Sequence, residues 1–212
     1  MNWPVAANKA GIDHAVALLR SGGVVAFPTE TYYGLAVDPF NRQALERLYQ
    51  VKRRPRQLPI LVLVAGADQL PLLTNEVPKI YHRLIRCFWP GPLTLVCPAL
   101  PSLPPQLTGS TGTIGVRQSP NETAVALIEA FGGPVTATSA NITGFPAAVT
   151  AEAVARMFET GIDLILDGGT TPGGAGSTLI GIDQGVLSCI REGKIGFSAV
   201  QECVAALALN DQ

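Results

Sequence analysis

Lys52-Arg53-Arg54-Pro55-Arg56-Gln57-Leu58-Pro59-Ile60-Leu61-Val62-Leu63-Val64 joins a cationic loop to an unbroken apolar run. The run Ile60–Val64 is short, aliphatic and bounded by proline, which predicts a buried strand. Just upstream, Leu45, Leu48 and Val51 recur at helical spacing, so a helix leads into the loop. Pro55 and Pro59 keep the intervening segment extended and fix its cations at the entrance to the strand. Six of the chain's fifteen basic residues, Arg42, Arg47, Lys52, Arg53, Arg54 and Arg56, fall within this helix and loop, where Glu46 is the only acid. Such a run is either a solvated helix end, favoured by the negative C-terminal dipole, or a place for an anion.

The same alternation continues in both directions. On the N-terminal side, Ile12, Ala15, Val16 and Leu19 mark an amphipathic helix stopped at Ser21-Gly22-Gly23. Val24–Phe27 then forms a buried strand that enters Pro28-Thr29-Glu30-Thr31-Tyr32-Tyr33-Gly34-Leu35, a hydroxyl-rich turn whose threonines either face a ligand or cap their own backbone. On the C-terminal side, helices are predicted at Asp68–Leu73 and Pro78–Phe88, the second stopped by Trp89-Pro90-Gly91-Pro92. A strand follows at Leu93–Cys97, and the proline-rich stretch Pro98–Pro105 reads as an extended surface loop. Thr113–Arg117 is a strand carrying Arg117 at its end, and Glu122–Ala130 a helix. Val135–Asn141 reads as one strand running into Ser139-Ala140-Asn141. Thr150 caps a helix over Ala151–Phe158, and Leu164–Asp167 is a strand that enters a glycine-rich stretch over 168–178. Leu179–Asp183 and Val186–Arg191 form a hairpin turned at Gln184-Gly185, and Val200–Leu209 is the last helix.

Strands alternating with helices predict an α/β fold, and the hairpin argues against an all-parallel sheet. The polar motifs recur after apolar runs, as they do when strand ends converge on one cleft. With 212 residues, 47% hydrophobic and 15% charged, the chain predicts one well-packed domain over residues 1–212. A formal net charge of −1 excludes generalised nucleic-acid binding but leaves room for a local basic patch. Cys87, Cys97, Cys189 and Cys203 show neither a CxxC pair nor zinc-ligand spacing and read as buried small hydrophobes, so no metal site is expected. Neither His14 nor His82 sits beside a Ser or Cys motif, which argues against a His-activated nucleophile. The N-terminus lacks a secretory pattern and no apolar run is long enough to span a membrane, so a cytoplasmic protein is expected.

The glycine-rich stretch lacks the Gly-Lys-Ser/Thr of a Walker loop. Its amides, with Ser177 and Thr178, are nevertheless suited to phosphate, as they are to a flexible loop. Cations, hydroxyls and amides without paired carboxylates fit transfer chemistry at phosphorus, where positioning and charge neutralisation dominate.

In order and spacing, Pro28–Leu35, Lys52-x-Arg54-Pro55, Trp89-Pro90-Gly91-Pro92-Leu93-Thr94, Gly115-Val116-Arg117, Ser139-Ala140-Asn141 and Ser177-Thr178 with Arg191-x-Gly193 resemble the YrdC-like threonylcarbamoyl-AMP synthase family over about residues 10–200. The resemblance implies a YrdC-like twisted, mostly mixed sheet flanked by helices around a central cleft. It also implies synthesis of threonylcarbamoyl-AMP and pyrophosphate from L-threonine, bicarbonate or CO2, and ATP, the first step of tRNA t6A modification. Lys52, Arg54, Ser139 and Asn141 would form the catalytic tetrad. Thr31, Leu63, Arg117, Ala137 and Ser177 would hold threonine, with Arg117 gripping its carboxylate as a fork. Arg54, Leu58, Thr113, Ser139, Ala147 and Arg191 would line the nucleotide side, and Mg2+ would arrive with ATP. Implied partners are tRNA, or double-stranded RNA more generally, and a downstream tRNA threonylcarbamoyl transferase.

Leu63 stands where many members carry a His near threonine, and Ser119 and Glu192 replace prolines of the common pattern. The chain resembles the short form of the family, without the C-terminal domain of longer members. Two rivals share the domain type: a non-enzymatic RNA-binding module, and a carbamoyl-adenylate-forming enzyme of hydrogenase maturation, normally fused to further modules.

Overall fold

Side-chain caps and apolar stripes start and face the helices. Asn8 accepts from the Gly11 N–H at 3.0 Å to begin α1 (Lys9–Arg20), whose Ile12, Ala15, Val16 and Leu19 are buried. Asn41 caps α2 (Arg42–Lys52), Asn121 caps α5 (Glu122–Phe131) and Thr150 caps α6 (Ala151–Met157) in the same way. The remaining helices are α3 (Lys79–Phe88), the short α4 (Pro105–Thr108) and α7 (Phe197–Ala208), with a 3-10 turn at Ala67–Leu72. The computed structural model describes residues 4–208, so Leu209, assigned to the last helix from sequence, lies outside the described residues.

The strands are β1 (Val5–Ala6), β2 (Val25–Pro28), β3 (Tyr33–Ala36), β4 (Val62–Val64), β5 (Leu93–Pro98), β6 (Thr113–Gln118), β7 (Val135–Thr136), β8 (Thr138–Ser139), β9 (Leu164–Asp167), β10 (Thr178–Asp183) and β11 (Val186–Arg191). They build two mixed sheets, ordered β1-β9-β2-β3-β8 and β11-β10-β5-β6-β4-β7. The α/β class and the mixed pairing agree with the sequence reading; the division into two sheets was not anticipated. Its cause lies in two segments. Tyr33–Ala36, read as part of a turn, is a strand antiparallel to β2. The stretch read as one strand from Val135 divides at Ala137: β7 pairs with β4 in the larger sheet, while β8 pairs with β3 in the smaller. Thr136 donates its N–H to Val37 O at 3.1 Å and Ala137 to Leu61 O at 2.8 Å, so consecutive amides reach different segments.

Two further differences concern the proline-rich stretch and the cysteines. The proline-rich stretch is not simply an exposed loop, because Leu103 is buried and Leu107 anchors α4. Cys87 and Cys203, read as small hydrophobes, form a disulfide that joins α3 to α7, whereas Cys97 is a buried thiol that burial pushes up to about 12. The hairpin turns where expected, with Gln184 and Gly185 both at positive φ as a two-residue turn requires. Among the described residues, no helix is long and apolar enough to cross a membrane.

Candidate functional site

A cleft of about 520 Å³ opens between the two sheets. Its floor is one face of the larger sheet: Thr94 and Val96 of β5, Thr113, Gly115 and Arg117 of β6, and Leu179 of β10. The alternate residues Leu93, Leu95, Ile114, Val116 and Ile180 enter the core behind it. The opposite wall comes from the β2–β3 turn and from Thr138–Asn141, which the crossing at Ala137 carries over the mouth.

Lys52 ends α2 beneath this wall and is only 1% exposed. Its ammonium donates to the Ser139 carbonyl oxygen, to the Asn141 carbonyl oxygen at 2.8 Å and to Asn141 Oδ1 at 3.2 Å. An ammonium has three protons, and all three are engaged. Lys52 therefore does not line the cleft; it holds the Ser-x-Asn loop from below. Burial, followed by the charge of Arg54, lowers its pKa to about 7, while the accepting oxygens favour the charged form. Ser139 Oγ donates to Asn141 Oδ1 at 2.6 Å, and Asn141 Nδ2 to Phe145 O at 2.7 Å, which orients both side chains.

Arg53, in left-handed conformation at the C-cap of α2, turns the chain so that Lys52 points under the loop and Arg54 into the cleft. Arg54 donates through Nη2 to Pro59 O at 2.8 Å, which holds the extended segment against it, and burial lowers its pKa. Of the other cations in this stretch, Arg47 pairs with Asp163 and Arg56 with Glu46.

At the far end, Arg117 is 3% exposed and pairs through Nη1 with Glu30 Oε1. Burial, then the nearby charge of Arg191, lowers its pKa to about 9; the Glu30 carboxylate opposes that shift. The two readings of the threonine turn hold together. Thr29 Oγ1 donates to Tyr32 O at 2.7 Å and closes the turn, while Thr31, 3.1 Å from Thr29 Oγ1, lines the cleft. Ser177 Oγ lies 2.8 Å from Thr94 Oγ1, and Arg191 Nη2 donates to Ser177 O at 2.9 Å. Gly173 N–H donates to Thr31 O at 2.7 Å, docking the glycine-rich loop on the turn.

Of the residues singled out from sequence, Thr31, Arg54, Thr113, Arg117, Ala137, Ser139, Asn141, Ala147, Ser177 and Arg191 share this cleft. Leu58 does not line it; it sits on the outer loop, 42% exposed, with its carbonyl accepting from Tyr49 Oη. Leu63 stands in register beside Arg117 but is fully buried with Phe27, Val135 and Leu127, and it does not line the cleft either. Sequence reasoning gave no role to Glu30, nor to Lys194, whose Nζ donates to Glu30 O at 2.9 Å. An acid between two cleft-lining threonines was the available signal for Glu30. Among the described residues, no group of three or more His, Cys, Asp or Glu side chains could hold a metal ion.

Residues 17–193 match the Sua5/yciO/yrdC family model, described as telomere recombination. The chain belongs to the Sua5/yciO/yrdC family. It is 36% identical over 196 residues to a threonylcarbamoyl-AMP synthase of Pyrococcus abyssi, covering 92% of this chain and 58% of that protein. It is 37% identical over 210 residues to a threonylcarbamoyl-AMP synthase of Bacillus subtilis, covering 97% and 61%. This Sua5/yciO/yrdC chain thus spans about three fifths of the length of these curated relatives. Its fold matches the crystal structure of P. abyssi Sua5 complexed with L-threonine, with a TM-score of 0.87 and 38% identity over 91% of this chain and 56% of that one.

Proposed function

We propose that this chain is a single catalytic domain that makes threonylcarbamoyl-AMP and pyrophosphate from L-threonine, CO2 or bicarbonate, and ATP. The observation that carries this reading is one cleft that brings together Arg54, Ser139 and Asn141 with Arg117, Thr31 and Ser177, over a floor in which Arg117 is the one charged strand residue named. The relatives' name and the threonine bound to P. abyssi Sua5 lend it support.

In this reading the free amine of threonine adds to CO2. A C–N bond forms, the nitrogen loses a proton, and a carbamate results. A carbamate oxygen then attacks the α-phosphorus of ATP; the new P–O bond forms as the bond to the β,γ-diphosphate breaks, and pyrophosphate leaves. An anion attacking an anion needs fixed positive charge, worth roughly 4 kcal/mol per contact at 4 Å when the effective dielectric falls near 20. Arg54 supplies that charge beside the triphosphate, with Arg191, Thr113 and Ala147 along the nucleotide. Lys52 fixes the wall from which Ser139 and Asn141 orient the reacting groups. Arg117, Thr31 and Ser177 hold threonine, with Ala137 against it. Mg2+ would be brought by ATP itself and would offset phosphate charge. The product is then consumed by a tRNA-modifying transferase. Threonine-dependent release of pyrophosphate from ATP, without tRNA, tests the proposal.

A further inference from the structure

Among the described residues, Arg117 is gripped at one corner. Nη1 meets Glu30, whereas Nε is buried with no hydrogen-bond partner among the described residues. A guanidinium this deeply buried keeps its charge and its orientation only if something fixes both. Glu30 does not itself line the cleft; it stands behind Thr29 and Thr31, which do. Its second oxygen, Oε2, accepts from the hydroxyl of Ser119, a residue 1% exposed on the segment that leaves β6. Ser119 Oγ also accepts from the Asn121 N–H at 3.2 Å, so the start of α5 fixes the hydroxyl in turn. A proline at position 119 would have no hydroxyl to offer. Lys194 clamps the Glu30 main chain from the loop after β11.

We propose that Glu30, braced by Ser119, is the positioning residue that sets the substrate-facing edge of Arg117 and thereby the site's affinity for an α-amino-acid carboxylate. This rests on the reading of Arg117 as the threonine anchor. With Nη1 held by Glu30, the guanidinium plane of this cleft-lining residue keeps one orientation, which suits a planar carboxylate. Ser119 reaches Arg117 only through Glu30, so its effect on threonine KM requires the carboxylate to be present.

The test is the KM for threonine and for ATP, both read from pyrophosphate release, in the wild type, Glu30→Gln, Ser119→Ala and the double variant. Glu30→Gln keeps the size of the side chain and removes its charge; threonine KM is expected to rise about tenfold or more while ATP KM stays within about twofold. Ser119→Ala leaves the ion pair in place and is expected to raise threonine KM about threefold, with no further rise when added to Glu30→Gln. If Glu30→Gln fails to fold, Ser119→Ala decides alone: an unchanged threonine KM overturns the proposal. Equal changes in both KM values would reduce Glu30 to a structural ion pair and equally overturn it. Wild-type protein that ignores threonine overturns this inference together with the proposed function, whereas a threonine-dependent wild type with an indifferent Glu30→Gln overturns this inference alone.

Discussion

The Lys52 ammonium lies 2.8 Å from the carbonyl oxygen of Asn141, 89 positions further along the chain. This contact ties the end of α2 to the loop that crosses between the sheets, and the burial of Lys52 there sets a dependence of stability on pH. Burial and Arg54 lower Lys52 to about 7 in the fold, against an ordinary value of 10.5. Between those values the unfolded chain binds more protons than the folded one, so this residue's contribution rises with pH across the window and is constant below it.

Lys52→Met therefore isolates the effect. Relative to that variant, the wild type is expected to gain stability as the pH is raised from about 7 toward 10, by up to about 1.4 kcal/mol per pH unit. Urea denaturation at a series of pH values reads the difference. A difference that does not change with pH would show that the three accepting oxygens keep Lys52 fully charged.

Arg54 is a cleft cation whose anchors are backbone carbonyls, so its loss leaves the core intact. Arg54→Ala is expected to lower the adenylate-forming kcat at least about tenfold, with an unchanged circular dichroism spectrum, as lost transition-state charge stabilisation requires. Unchanged turnover would remove Arg54 from the mechanism.

Gly193 allows the loop after β11 to lie against Ser177. A Cβ there would come within 2.7 Å of the Ser177 carbonyl oxygen and closer still to that of Gly176. The Gly193 N–H also donates to Thr178 Oγ1 at 2.9 Å. Gly193→Ala is expected to cost about 1–3 kcal/mol by overpacking and to raise ATP KM, because the displaced loop carries Arg191 away from Ser177. Urea midpoints and steady-state kinetics check both outcomes.

Much of this arrangement was legible in the sequence because local rules wrote it. Asn121 and Thr150 are side-chain caps, Gln184-Gly185 is a hairpin turn, and Leu164–Asp167 is a buried aliphatic run bounded by polar residues. The division at Ala137 was not legible, since Val135 to Ser139 keeps the same extended character on both sides and only the partners of consecutive amides differ. Tyr33–Ala36 hid as a strand because its hydroxyls and glycine imitate a turn. The Cys87–Cys203 bond spans 116 positions, beyond the reach of any spacing rule. At the site, the sequence reading named most of its side chains on the cleft, but Lys52, Leu58 and Leu63 lie outside it, and what stands behind the lining went unread. The three acceptors of Lys52 and the bracing of Arg117 by Glu30 and Ser119 are tertiary facts.

In the proposed reaction the group adenylated is the N-carbamate of threonine. Purified protein is incubated with ATP, Mg2+ and bicarbonate, with and without L-threonine and without tRNA, and pyrophosphate is measured. Release is expected to depend on both threonine and bicarbonate; release indifferent to threonine would rule the proposed reaction out.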